Sequence, residues 1–553
     1  MSLIDRRQFL ASAAAVTTTA GAVPRASNTA VHCRDHVQLP LPDQPLVEIT
    51  AGWIRGIECG DVRSFKGIPY GASTAGPNRF RAPQPPKPWS GVREALNYGP
   101  ECPAAPGALT DRPFTQGPQD AFLLYRNYTP HTPNEDCLRL NVWAPMGAAR
   151  RPVMVWMHGG GFFAGSGNDL LAYDGANLAR RGDVVVVTHN HRLNIFGYLD
   201  LSRFGGRWAE SVNVGMQDIV AVLKWVRENI AAFGGDPENV TIFGQSGGGA
   251  KVLTLMAMPS ARGLFHKAII ESGVFPGYGS ITMPEAHELS RSVLAELGIS
   301  EKSPDKLATL PPERLCVAAV AGRRPLLWSP VIDGMVLPTT PGLEATALSP
   351  GTPLIVGSVL NELENPVDDP RAADFSEADL RLAARKTYRS TGRAIVAAYQ
   401  HAYPHRAPIE LWFAMQAAGI RTLSFELAAR KYVLDRKAWQ YLFTWATPML
   451  EGRPKTFHSA EIAFVFDNAG LCMNQTGGGR EALRLAARSS DAWTAFAHAG
   501  NPNHPGLASW PAFDAPQPTM IFDNECEVQD DPEAEGRQLI LEALGGRWPG
   551  IRI

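Results

Sequence analysis

Residues 240 to 250 read Val240-Thr241-Ile242-Phe243-Gly244-Gln245-Ser246-Gly247-Gly248-Gly249-Ala250. A β-branched and aromatic run ends in Gly-x-Ser-x-Gly, which fits a strand turning sharply into a helix with Ser246 at the apex. So tight a turn strains the serine backbone, and side chains at Gly244 or Gly248 would collide with the neighbouring strand and helix. In a chain with 52 glycines the motif alone is ambiguous. A second motif upstream resolves it. Val153-Met154-Val155-Trp156-Met157 is an apolar strand that runs directly into His158-Gly159-Gly160-Gly161-Phe162. Three consecutive glycines leave backbone N–H groups unshielded, as a developing oxyanion requires. Two such motifs, each behind a strand and in this order, imply serine-hydrolase chemistry.

The sequence around them alternates between strand and helix. Asp183 to Thr188 is a buried-strand run that continues towards Asn190-His191-Arg192 and Phe196-Gly197-Tyr198. From Met216 to Phe233 the apolar residues Met216, Ile219, Val220, Leu223, Val226 and Ile230 fall on one helical face. Gly234-Gly235-Asp236-Pro237 stops that helix, and small residues after Ser246 lead another. Ala268 to Gly273 reads as the next strand. This alternation indicates an α/β fold with a mostly parallel central sheet and helices on both faces. The Pro-rich stretch from Val47 to Trp143 is strand- and turn-rich and is expected to form an antiparallel N-terminal edge. Residues 285–436 are largely helical and read as inserted cap material.

A length of 553 residues with 45% hydrophobic composition supports a large core, and a long α/β sheet with insertions can be one domain. The net charge of -2 leaves no basic footprint for nucleic acid or an anionic membrane. Arg6-Arg7 precede a weakly apolar stretch from Ala11 to Val23 and the small-residue site Ala20-Gly21-Ala22. Residues 1–26 therefore read as a twin-arginine export signal, with cleavage after Ala22 or Ala26, and residues 27–553 as a single domain. A periplasmic or secreted location follows. Nothing downstream reaches the roughly 18 apolar residues of a spanning helix, so no stable membrane insertion is expected. Seven cysteines without a Cys-x-x-Cys spacing argue against a disulfide scaffold or a zinc ribbon. Export still permits a single structural bridge.

A serine hydroxyl needs a base, and the base needs an orienting acid; on such a sheet the chain order is Ser, acid, His. Leu354 to Ser358 is a strand, and Glu362 lies in the loop after it, with Glu364 and Asp333 as rivals. Downstream of Glu362 the candidate bases are His401, His405, His458, His498 and His504. His458 follows the strand-like run Trp439 to Trp445 and a polar loop, which places it at the carboxyl edge of the sheet. Spacing alone leaves both choices open.

The chain resembles the type B carboxylesterase family, which includes the cholinesterases, along nearly all of its length after the leader. The matching segments run from Phe65-Lys66-Gly67-Ile68-Pro69-Tyr70 and Arg79-Phe80-x-x-Pro83 through Asn134-Glu135-Asp136-Cys137-Leu138 and both glycine motifs. They continue through Asn229-Ile230, Phe233 to Pro237, Val331-Ile332-Asp333-Gly334 and Phe457-His458-Ser459-Ala460-Glu461-Ile462, and end near Trp510-Pro511-Ala512-Phe513. The resemblance implies the α/β-hydrolase fold and a serine esterase acting on small-molecule carboxylic esters without metal or organic cofactor. It selects Glu362, five residues after the strand-ending Gly357, as the acid, and His458 as the base. It further implies an oxyanion hole built from the N–H groups of Gly160, Gly161 and Gly247.

It implies, too, a disulfide between Cys102 and Cys137, which would close a loop containing Phe114, Phe122, Tyr125 and Tyr128. In the chain-entropy account such a bridge contributes roughly 3–4 kcal/mol. Arg79 and Glu135 match a structural ion pair, and Ser272 a hydrogen-bonding support near the base. The sequence departs from the pattern in three places. Gln245 stands where many members carry Glu, Gly247 where Ala is frequent, and Leu360-Asn361-Glu362-Leu363 lacks the usual Asp-Glu-Gly. Two other functions fit the same framework: hydrolysis of amides, carbamates or a particular xenobiotic or natural ester, and a non-catalytic binding module. The presence of Ser246, Glu362 and His458 together argues against the second. The sequence does not indicate an oligomeric state.

Overall fold

The runs at 153–157, 185–189, 240–243 and 354–356 crowd β-branched and large apolar side chains together, which favours extended backbone buried on both faces. A computed structural model bears this out; it describes residues 44–104, 132–147, 150–321, 328–342, 344–362 and 374–546. The strands, in chain order, are β1 (Leu46–Ile49), β2 (Gly52–Arg55), β3 (Ile57–Cys59), β4 (Val62–Pro69), β5 (Val92–Glu94) and β6 (Arg139–Pro145). Next come β7 (Arg151–Met157), β8 (Val185–His189), β9 (Gly235–Gln245), β10 (Lys267–Glu271), β11 (Ile281–Thr282) and β12 (Val331–Ile332). The last are β13 (Leu354–Val359), β14 (Ala438–Phe443), β15 (Pro518–Phe522) and β16 (Glu527–Asp530).

Eleven of them form one sheet in the order β16-β15-β14-β13-β10-β9-β7-β8-β6-β4-β3. The central strands from β8 to β15 pair in parallel, while β6, β4 and β3 continue one side antiparallel and β16 closes the other. The N-terminal antiparallel edge is thus present. This is the α/β-hydrolase fold. Register aligns the carboxyl ends of the strands: Met157 pairs with Gly244, Gln245 with Glu271, and Gly357 with Tyr441. Loops leaving β7, β9, β10, β13 and β14 therefore emerge along one edge, where α/β sheets hold their sites.

The helix Val214–Asn229 buries Met216, Ile219, Val220, Leu223 and Val226, the face read from sequence, and a 3-10 turn carries it on to Phe233. Gly234, at φ +87°, ends it in the left-handed conformation that favours glycine. One local expectation fails. Phe196 to Tyr198 does not continue β8 but forms a single helical turn, Asn194–Tyr198, whose buried side chains make it look like a strand in sequence. The helices Glu377–Tyr388, Gly392–Ala402, Pro408–Gln416 and Ala418–Asp435 occupy the later half of the region expected to be helical. Their apolar faces (Leu380, Ile395, Tyr399, Leu411) pack with Leu360, Leu442 and Ile521 at the β13–β15 side of the sheet. Among the described residues no helix is long and apolar enough to cross a membrane. Residues 1–26, with the paired arginines, and Glu364 lie outside the described residues.

Candidate active site

Ser246 caps the helix Gly247–Ala257, the elbow helix, with φ 58° and ψ -127°, a conformation costly for any residue but glycine. The surroundings hold it there. Ser246 N donates to Glu271 O at 2.8 Å, and Ala250 N donates to Ser246 O at 3.0 Å. A Cβ on Gly244 would lie 2.6 Å from Met157 O, and one on Gly248 would overlap that same carbonyl. These are the collisions that the Gly-x-Ser-x-Gly spacing avoids. Gln245 and Gly247 are buried, whereas Ser246 between them reaches solvent.

The glycine loop after β7 lies against the first turn of this helix. Gly160 and Gly161 take φ +85° and +62°, and a Cβ on Gly247 would meet the backbone nitrogen of Gly161. The three glycines expected to bind an oxyanion are thus gathered at one spot beside Ser246.

Glu362 and His458 are brought together directly. Nδ1 of His458 bonds to Oε2 of Glu362, and Val359 N donates to Oε1 at 3.0 Å. Glu362 is 2% exposed and His458 9%. Their loops are fastened to each other, since Asn361 N donates to Thr456 O and Thr456 N donates to Asn361 Oδ1, each at 3.2 Å. Asp333, a rival acid, spends Oδ1 on the turn N–H groups of Met335 and Leu337. Among the rival bases, His498 bonds Gly182 O and His504 bonds Arg488 O, while His401 and His405 are exposed on the helical region.

The ring also lies against the elbow. Nε2 of Gln245 is 3.3 Å from Nε2 of His458, and Oε1 of Gln245 accepts the Ser459 hydroxyl at 2.9 Å. Ser272 supports the base loop from behind, its hydroxyl donating to Glu461 Oε1 at 3.4 Å. Arg79 and Glu135 form the expected buried ion pair, Nε to Oε1 at 2.6 Å.

Sequence reading missed an aromatic wall and a pair of acids. Phe275 lies 6.5 Å from the His458 ring, and Tyr278 accepts the Phe162 N–H at 3.2 Å. Glu461 and Glu271 are both buried; burial first, and then neighbouring Glu362, push the Glu461 carboxyl up to about 8. Burial and Glu461 raise Glu271 well above the usual carboxylate range. The Glu in the residues after His458 was a visible signal, but only folding shows that it faces another acid.

The cysteines correct an expectation. Cys102 and Cys137 are two free, buried thiols and not a disulfide. Burial and the adjacent Cys137 push the Cys102 thiol up, so it stays protonated, and its sulfur accepts the Leu193 N–H at 3.3 Å. The loop 105–131 that a bridge would close lies outside the described residues. Among the described residues no cluster of His, Cys, Asp or Glu has metal-binding geometry.

Residues 43–539 match the model of the carboxylesterase family. The chain belongs to that family. It is 36% identical to the para-nitrobenzyl esterase of Bacillus subtilis (strain 168) over 90% of this chain and 99% of that one. It is 31% identical to the fumonisin B1 esterase of Sphingopyxis macrogoltabida, with 87% of each chain covered. A solved esterase from Clostridium hathewayi, described as able to hydrolyse aliphatic aromatic polyesters, superposes with a TM-score of 0.79 at 37% identity, covering 90% and 98% of the two chains. As a carboxylesterase, the protein is a carboxylic ester hydrolase.

Proposed function

We propose that the protein cleaves small-molecule carboxylic esters through an acyl-enzyme on Ser246, with His458 as general base and acid and Glu362 as its orienting carboxylate. The buried Glu362–His458 pair, set against the elbow where Ser246 alone is only half-buried between buried neighbours, is the observation that carries this reading. Ser246 Oγ attacks the carbonyl carbon as its proton passes to Nε2 of His458, forming the C–O bond. The carbonyl oxygen becomes an oxyanion facing the N–H groups of Gly160, Gly161 and Gly247. As this intermediate collapses, the bond to the alcohol breaks and His458 returns the proton to the departing oxygen. Water then attacks the acyl-enzyme with His458 as base, releasing the acid and free Ser246. Every proton taken by the ring is given back, so the cycle calls on no redox partner.

Replacing Ser246 with alanine should abolish turnover of a short-chain p-nitrophenyl ester and labelling by a fluorophosphonate probe, with the circular dichroism unchanged. Persistent hydrolysis in that variant would refute the assignment. We also propose export directed by Arg6-Arg7. Fractionation of cells carrying an Arg6→Lys, Arg7→Lys variant should find the protein retained in the cytoplasm.

A further inference from the structure

Directly beneath the oxyanion loop lies a buried cluster that the proposed mechanism does not use. Lys251, on the elbow helix five residues after Ser246, is 0% exposed, and its Nζ donates to His158 O at 2.9 Å. His158 is the residue from which the glycine loop departs, and its Nδ1 bonds Gly159 O at 2.8 Å. Resting on the serine-hydrolase reading above, we infer that Lys251 is a positioning residue for the oxyanion loop. Its amino group braces the backbone of Gly159–Gly161 through His158, and its positive charge favours the oxyanion that develops above it.

The groups facing Lys251 come from three other segments of the chain: His158 after β7, Asp169 in the following loop, and His189 and His191 at and beyond the end of β8. The imidazoles lie tilted against one another, with ring centres 4.8 Å apart for His158 and His191 and 5.3 Å apart for His189 and His191. Both ring nitrogens of His191, and Nε2 of His158, have no hydrogen-bond partner among the described residues. Burial, followed by the charge of Lys251, pushes all three rings down, His189 to about 3. They are therefore neutral and leave Lys251 as the source of positive charge in the cluster, opposed by Asp169.

Burial lowers the Lys251 ammonium to about 7, with Asp169 acting the other way. Its charge is thus lost within the pH range in which an esterase works. The neutral amine can still donate to His158 O, so the brace survives while the electrostatic contribution disappears. A lysine that served packing alone would leave no such mark on the rate.

The test is the dependence of kcat and kcat/KM on pH for p-nitrophenyl butyrate. In the wild type the rate should climb as the catalytic imidazole loses its proton, then drop severalfold, above neutral pH, to a lower but nonzero plateau. Lys251→Met should lower kcat about tenfold below that drop, less than the roughly 10²-fold cost of losing a direct oxyanion donor, with KM unchanged and the drop gone. Lys251→Arg, which stays charged, should remain on the upper plateau at alkaline pH. A wild-type profile with no drop, or a drop that persists in Lys251→Met, overturns the inference. Should Lys251→Met fail to fold, the wild-type and Lys251→Arg profiles decide alone. Fluorophosphonate labelling of Ser246 separates the two claims: an unlabelled wild type sinks the mechanism, whereas a labelled one with the wrong profile sinks only the role of Lys251.

Discussion

The side-chain nitrogen of Gln245 stands 3.3 Å from Nε2 of His458 while its oxygen accepts the Ser459 hydroxyl. With the amide oxygen taken by the Ser459 hydroxyl, its nitrogen side faces the ring. That nitrogen also lies 3.5 Å from Nδ1, so it faces both ring nitrogens, and its positive end favours the neutral imidazole over the imidazolium.

Gln245→Glu puts a carboxylate in the same place and favours the imidazolium instead. The rising limb of kcat/KM should then move to higher pH by about one unit, with activity recovered at alkaline pH. A pH-rate profile on a p-nitrophenyl ester checks it; an unshifted limb would show that the amide does not influence the base.

Glu362→Gln keeps an oxygen for the Val359 N–H but removes the charge behind the ring. By analogy with the acid of serine proteases, kcat should fall on the order of 10⁴-fold while the thermal melt barely changes. A loss under about tenfold would point to a different acid.

Glu271 and Glu461 make a prediction about stability. Both are raised in the folded protein, Glu461 to about 8, against an ordinary glutamate value of 4.5. The folded state therefore holds protons that the unfolded state has released. The stability tied to those protons is complete below pH 4.5 and is lost as pH rises through the folded values. Gln at position 271 can accept from Trp493 Nε1, as Glu271 Oε1 does at 2.8 Å, and offer an N–H to Glu461. Glu271→Gln should thus be more stable than the wild type at mildly alkaline pH by about 1–3 kcal/mol, with the gain shrinking in acid. Melting curves across that range check it. A variant less stable at every pH would contradict it.

Gly248→Ala tests the elbow mechanically. Its methyl group would overlap Met157 O, which belongs to a central strand and cannot yield cheaply. A loss of about 3 kcal/mol is expected in a urea titration, together with lower kcat as the glycine loop is pushed away from Ser246.

The sheet and the elbow could be read from sequence because their signals are local: apolar runs of strand length, and glycines at positions where a Cβ has nowhere to go. The acid and base could not be settled that way. Glu362 and His458 lie 96 residues apart, and only the parallel pairing of β13 with β14 sets their loops side by side. Phe196 to Tyr198 misled because a buried helical turn and a buried strand share the same apolar composition. The fate of Cys102 and Cys137 was not legible either, since spacing says nothing about the oxidation of two thiols. Lys251 was invisible for a related reason: a lysine on a helix is ordinarily solvated, and its burial under a glycine loop is a property of the assembled fold.

The most direct test of the account traps the covalent intermediate. The enzyme is mixed with a slowly deacylating ester such as p-nitrophenyl trimethylacetate, quenched in acid, and weighed intact and as peptides. The account predicts a burst of one p-nitrophenolate per active enzyme and an added acyl mass on the peptide carrying Ser246, both absent from Ser246→Ala. Turnover with no acyl mass on that peptide, or an adduct that forms equally in Ser246→Ala, would contradict it.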